Sequence, residues 1–266
     1  MIVGISRAVK SAGVAFGDVR QSPSRWAAFR HARGTAVNPA ELTGRARTHL
    51  IEPPGLGCLV HRDAADAFVA MREAAARVGI MLEAASAFRD FERQRRVWNA
   101  KFTGERQLLD ADNRPLDASA LPPVERVEAI LTWSALPGAS RHHWGTDVDV
   151  IDAMAMPSGY EVQLVGTEYA PGGVFARLSA WLDENARRYG FFRPYATGRG
   201  GVRPEPWHLS YAPVAKRALE ELTLPVLKRA ISGSEMLGKE RVLERLPEIY
   251  TRFILAVDPP TQVGPA

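Results

Sequence analysis

The stretch that most constrains this chain is Ser140–Asp152, entered through Pro137-Gly138, a break that ends the helical pattern of Val124–Ser134. Within it Asp147 and Asp149 lie two apart in a strand-like run, so both carboxylates point to one face. Helical segments surround this run. From Asp63 to Val78 the apolar residues Ala65, Phe68, Val69, Met71 and Ala75 recur at helical spacing, and Gly79 supplies a stop. Ile80–Ala85 reads as a buried strand and Asp90–Lys101 as a second helix, followed by a polar, insertion-like stretch to Pro123. Val174–Tyr189 is amphipathic between Gly172-Gly173 and Gly190, and Pro204–Tyr211 is a short strand candidate. Residues 223–258 read as two further helices, with Gly233 and Gly238 between them. Few strands interrupted by helices predict an α+β fold: a small central, mostly antiparallel sheet flanked by helices, with extra C-terminal helices. The boundaries expected are an irregular arm over 1–50 with one short helix near Ser24–Ala32, a main domain over 51–222, and a helical extension over 223–266.

Composition narrows the function classes. Of 266 residues, 46% are hydrophobic and 24% charged, the balance of a soluble globular chain long enough to bury a core. No stretch approaches the apolar length of a membrane span. The net charge of +4 is spread out, apart from Arg93, Arg95 and Arg96, and no recognised motif or long basic stripe points to nucleic acid. Cys58 is the only cysteine, which excludes an internal disulfide and any multi-thiolate zinc site. The first twenty residues, broken by Arg7 and Lys10, lack the apolar core of a secretory signal.

The chemistry concentrates in two short segments, Ser140-Arg141-His142-His143-Trp144-Gly145-Thr146-Asp147-Val148-Asp149 and Glu205-Pro206-Trp207-His208. A catalytic zinc site takes three ligands from His and Asp or Glu, leaves a fourth position to water, and needs a carboxylate that takes that water's proton. A single histidine near an aspartate is more often a hydrogen-bonded residue than a ligand; the two segments together favour the metal. Spacing leaves open whether His142 or His143, and Asp147 or Asp149, belongs to it. Trp144 and Trp207 are expected to pack beneath the site, Trp207 facing away from His208, with Cys58 and His61 structural. The run Gly198–Gly201 lacks the strand-then-helix setting of a phosphate loop and reads as a lid.

The first segment matches Ser-x-His-x-x-Gly-x-x-x-Asp and the second Glu-x-x-His, a pair that resembles the signature of VanY-like D-alanyl-D-alanine carboxypeptidases. These are zinc peptidases whose metal site is shared with D-Ala-D-Ala dipeptidases and the hedgehog domain. Upstream, Ser86-Ala87-Phe88-Arg89-Asp90-Phe91-Glu92-Arg93-Gln94 resembles the family's Ser-Gly-Tyr-Arg-(x)4-Gln segment, so the likeness runs in order from Asp63 to Tyr211.

The resemblance implies one Zn2+ per chain on His142, Asp149 and His208, with Glu205 as general base and Arg89 as the cation facing the oxyanion. It makes His143 a neighbour, and gives Ser140 and Gln94 to substrate hydrogen bonding. Asp147 stands where the family often has a small residue, adding a carboxylate that orients a ligand or binds a substrate amine. Ala87 and Phe88 replace the family's Gly and Tyr in the pocket wall. The activity implied is removal of a terminal D-alanine from peptidoglycan stem peptides, in the periplasm or cell envelope. L,D-carboxypeptidase or endopeptidase activity on the same scaffold, or a non-catalytic zinc module, stands as the alternative; a module without turnover has no need of Glu205.

Overall fold

The computed structural model describes residues 38–260, and the helix expected near Ser24–Ala32 lies outside them. The described chain opens with α1 (Pro39–Leu42), capped by Asn38, whose side chain accepts from the Ala40 and Glu41 amides. Next come the strands β1 (Leu50–Ile51) and β2 (Val60–His61), which pair with each other, and α2 (Arg62–Ala76). Strand β3 (Leu82–Ser86) leads to α3 (Phe91–Thr103), which Asp90 caps through the Arg93 amide. A hairpin of β4 (Leu108–Leu109) and β5 (Pro115–Leu116) precedes α4 (Pro123–Trp133). A tight turn over Arg141–Trp144 then delivers the chain into β6 (Asp147–Asp152). Beyond it lie α5 (Gly166–Tyr169), α6 (Ala176–Asn185), β7 (Phe191–Phe192), β8 (His208–Tyr211) and α7 (Ala212–Glu221). The chain closes with α8 (Leu224–Ser232), α9 (Lys239–Glu244), α10 (Leu246–Ile249) and a π-helical turn over Tyr250–Leu255.

The central sheet has the order β3-β6-β8-β7, with every pairing antiparallel. This is the mixed helix-and-sheet architecture expected from the pattern. Val148 and Val150 on β6 and Leu209 on β8 join Phe68 and Met71 of α2 and Leu178 and Leu182 of α6 in one buried cluster. A second cluster gathers Trp98 of α3, Val127 and Ile130 of α4, and apolar side chains of α7 to α10. The alternation of β6 therefore sends its valines into the core and reserves the opposite face for Asp147 and Asp149.

Several boundaries differ from the sequence reading. Residues 38–50 belong to the same compact unit as the rest of the described chain, and are no arm outside it: Trp144 Nε1 donates to the Leu42 carbonyl and the Phe91 amide to that of Gly44. The C-terminal segment belongs to the same unit and forms three short helices where two were expected. Only His208–Tyr211 of Pro204–Tyr211 is strand, because the Glu205–His208 turn, closed by the His208 amide on the Glu205 carbonyl, occupies the rest. The glycine run expected as a lid is tied down: Arg252 donates to the Gly200 carbonyl, and Thr197 and Arg199 both reach Asp258.

Candidate metal centre

Sheet register builds the site. Antiparallel pairing sets Asp149 directly across from His208 and Asp147 across from Ser210, so all four side chains share one face. His142 arrives from the tight turn that precedes β6. That turn ends at Gly145, whose φ of 67° is left-handed and whose absent Cβ would meet the His61 amide nitrogen at 2.8 Å. The imidazole centroids of His142 and His208 stand 4.8 Å apart. His142, Asp149 and His208, all buried, offer ligand atoms that lie within 4.8 Å of one another.

Hydrogen bonds decide which nitrogens face inward. His142 Nδ1 lies 2.9 Å from the Ala87 carbonyl, which can only accept, so Nδ1 carries the proton. Its Nε2 lone pair then faces Asp149 Oδ2 at 3.4 Å. His208 Nε2 sits 3.0 Å from Asp147 Oδ1, leaving Nδ1 turned toward Asp149 Oδ1 at 3.5 Å and Glu205 Oε2 at 2.9 Å. Asp149 Oδ1 is buried without a hydrogen-bond partner among the described residues. Lone pairs and carboxylate oxygens converging in this way call for a cation, and a two-His, one-Asp donor set suits zinc in number and chemistry. The same demand is visible in His208. Burial alone would lower its pKa, yet Asp147, Glu205 and Asp149 raise it to about 10. Asp149 is held below the usual carboxylate range, because its interactions with His142, His208 and Arg89 outweigh its burial.

A layer of side chains behind the donors fixes them. Asp147 is wholly buried and accepts from Arg141 Nε at 2.8 Å, Ser210 Oγ at 3.1 Å, Thr146 Oγ1 and His208. That corrects the expectation of a substrate contact: every acceptor position is taken, and the carboxylate lies behind His208. Its pKa is pushed far down by Arg141 and His208 against the opposing effect of burial. Tyr195 packs edge-on to the His208 ring at 5.2 Å. His143 points away from the donors. Its Nδ1 donates to the Arg89 carbonyl at 2.6 Å and its Nε2 accepts from the Gly138 amide at 3.1 Å. Burial lowers its pKa to about 3, so the ring is neutral.

Arg89 leaves the end of β3 and is gripped by Gln94 Oε1 at 2.8 Å and Ser86 Oγ at 3.1 Å. Asp149 and Glu205 are the acidic groups whose charge it feels. Gln94 is also fully buried and donates to the Ala135 carbonyl at 2.7 Å, so it positions Arg89 and cannot reach substrate as expected. Ser140 is buried, and its Oγ has no partner among the described residues. The Phe88 ring lies edge-on to His49 at 6.3 Å. Trp144 and Trp207 are core residues, Cys58 is half-buried against the core, and His61 caps α2 through the Asp63 amide.

A model of the VanY family, D-alanyl-D-alanine carboxypeptidase, matches residues 57–214. The chain belongs to the VanY family of peptidases. It is 36% identical over 126 residues to an uncharacterised protein of Haemophilus influenzae, covering 47% of this chain and 96% of that one. It is 28% identical over 142 residues to a D-alanyl-D-alanine carboxypeptidase of Enterococcus faecalis, covering 52% of this chain and 43% of that protein. Among solved structures, a mutant of the vancomycin-resistance D,D-pentapeptidase VanY in complex with Zn(II) is similar at 21% identity and a TM-score of 0.44, over 73% of this chain and 88% of that one.

The sequence reading singles out neither Arg141 nor Lys101. Arg141 is the cation a buried Asp147 requires, six residues before it in the same segment. Lys101 ends the helix expected over Asp90–Lys101. It stands seven residues, two helical turns, beyond Gln94, a spacing that puts both on one face of α3.

Proposed function

We propose that this chain is a zinc-dependent carboxypeptidase that removes the terminal D-alanine of peptidoglycan stem peptides in the cell envelope. The observation that carries the reading is Glu205 Oε2 at 2.9 Å from His208 Nδ1, the nitrogen turned toward Asp149. A carboxylate on the rim of a two-His, one-Asp cluster, held by a backbone turn, is placed to move a proton.

His142, Asp149 and His208 would hold the zinc, which when bound would supply Lewis acidity and bring the pKa of a water toward neutrality. Glu205 takes the proton of the attacking water on Oε2 and passes it to the leaving amine of the terminal residue. Arg89, fixed by Gln94 and Ser86, holds its guanidinium toward the oxygen on which negative charge develops. Asp147 keeps the proton on His208 Nε2 and so leaves Nδ1 free as a donor. Ser140 Oγ, with no internal partner, is free to hydrogen-bond the peptide. The name of the Enterococcus relative supports the choice of substrate.

The test is incubation of the zinc-loaded protein with defined muropeptides, read by mass spectrometry. Loss of one alanine from a pentapeptide and none from a tetrapeptide is expected; a trimmed tetrapeptide would assign L,D specificity instead. Glu205→Ala should abolish release while zinc content stays near one per chain.

A further inference from the structure

Helix α3 grips the chain after α4 at two points. Gln94 Nε2 donates to the Ala135 carbonyl at 2.7 Å, and Lys101 Nζ donates to Ser134 Oγ at 2.6 Å. The first grip is explained by Arg89, which Gln94 also holds. The second is not, because a lysine is a costly way to brace a serine. Lys101 is partly buried, and among the described residues it makes no ion pair; a neutral hydroxyl holds it. The charges that bear on it are Arg106 and Arg89, both repulsive, and Glu205, which attracts. A partly buried ammonium that feels the charge of two guanidiniums, and whose hydrogen-bond partner is a neutral hydroxyl rather than a carboxylate, lacks an anion to offset its desolvation. Burial and Arg106 push its pKa down to about 8, against the pull of Glu205, so it still carries its proton at neutral pH.

We propose that Lys101, steadied by Ser134, binds the free C-terminal carboxylate of the substrate and thereby restricts the site to chain ends. The inference rests on the carboxypeptidase reading and adds to it the residue that tells a chain end from an internal bond. The pieces agree. The anion arrives with the substrate, its ionic partner is placed within the electrostatic reach of Glu205, and Arg89 remains available for the scissile carbonyl. A lysine that only braced Ser134 would affect substrates with and without a terminal carboxylate alike.

The decisive measurement uses the zinc-loaded protein and two stem pentapeptides, one ending in a free D-alanine carboxylate and one in its amide. Wild type should favour the acid by at least ~10-fold in kcat/KM, the scale of one ionic hydrogen bond. Lys101→Gln should erase that preference, raising KM for the acid by ~10-fold or more while leaving the amide unchanged, and Lys101→Arg should keep most of it. Ser134→Ala deletes one hydroxyl and should erode the preference several-fold, giving a readout should Lys101→Gln fail to fold. An acid-to-amide ratio unchanged in these variants, or equal cleavage of both peptides by wild type, overturns the assignment of Lys101. Absence of cleavage of either peptide by wild type overturns the carboxypeptidase reading itself, and this inference with it.

Discussion

His208 Nε2 lies 3.0 Å from Asp147 Oδ1, on the side of the ring opposite the nitrogen that faces Asp149. Asp147 also takes the charge of Arg141 at 2.8 Å, so one buried carboxylate sets a tautomer and neutralises a buried cation. Asp147→Asn keeps the shape and removes the charge. Zinc affinity should fall by ~10–100-fold, the usual effect of losing such an orienting partner. Stability should fall by about 3 kcal/mol, because Arg141 is left buried and unpaired. Competition against a chromogenic chelator and urea unfolding measure the two effects separately; unchanged affinity would mean that packing alone orients His208.

Arg89 depends on Gln94 in a comparable way, through a 2.8 Å hydrogen bond from its guanidinium to Gln94 Oε1. On the proposed role of Arg89 at the developing oxyanion, Gln94→Leu should preserve zinc content and lower kcat by ~10–100-fold, with a smaller change in KM. A rise in KM with kcat intact would place Arg89 on the bound peptide rather than on the reacting carbonyl.

Part of the candidate site was legible because its logic is local, although spacing left His142 against His143 and Asp147 against Asp149 open and only the family resemblance chose between them. Period-two alternation puts Asp147 and Asp149 on one face, and the three-residue step from Glu205 to His208 brings a carboxylate beside an imidazole. What lay behind them was not legible in the same way. Whether Asp147 meets substrate or protein depends on Arg141 and Ser210 closing around it, and Ser210 comes from a different strand, sixty-three residues on. The strand expected over Pro204–Tyr211 is only His208–Tyr211 in the fold, since alternation cannot separate a strand from the turn that feeds it. The role of residues 38–50 was hidden for another reason. Short capped turns carry no periodicity, and their contribution lies in carbonyls offered to Phe91 and Trp144 rather than in an apolar stripe.

Gly44 shows how closely that segment approaches the site. Its φ is 72°, and a Cβ there would stand 2.4 Å from His143 Nδ1, the atom that donates to the Arg89 carbonyl. Gly44→Ala combines left-handed strain with a clash against a fully buried ring that has no room to move. Destabilisation of about 2 kcal/mol or more is expected in urea unfolding, and specific activity of the folded fraction should drop as the Arg89 backbone shifts. Gly55, with a φ of 74° and nothing near its Cβ, is the control: Gly55→Ala carries the strain without the clash and should leave activity unchanged.

Acid sensitivity follows from His61. Its Nδ1 accepts from the Asp63 amide at 3.1 Å as the cap of α2, and burial, only partly offset by Asp63, lowers its pKa to about 4. In the unfolded chain the ring titrates near 6.5. Because the folded value is the lower one, the unfolded state binds the proton first. The stabilisation is complete above about pH 6.5 and is lost as pH falls toward the folded value near 4. Neutral His143, with its pKa near 3, contributes in the same direction, so the wild-type curve should fall steeply. Asparagine is a good helix cap and does not titrate, so His61→Asn keeps the bond and removes one proton from the balance. Urea unfolding of the metal-free protein from pH 7 to 4.5 should show the variant gaining about 2–3 kcal/mol on wild type over that interval. Parallel curves for the two proteins would mean that His61 is protonated in the fold and that the cap of α2 does not depend on its lone pair.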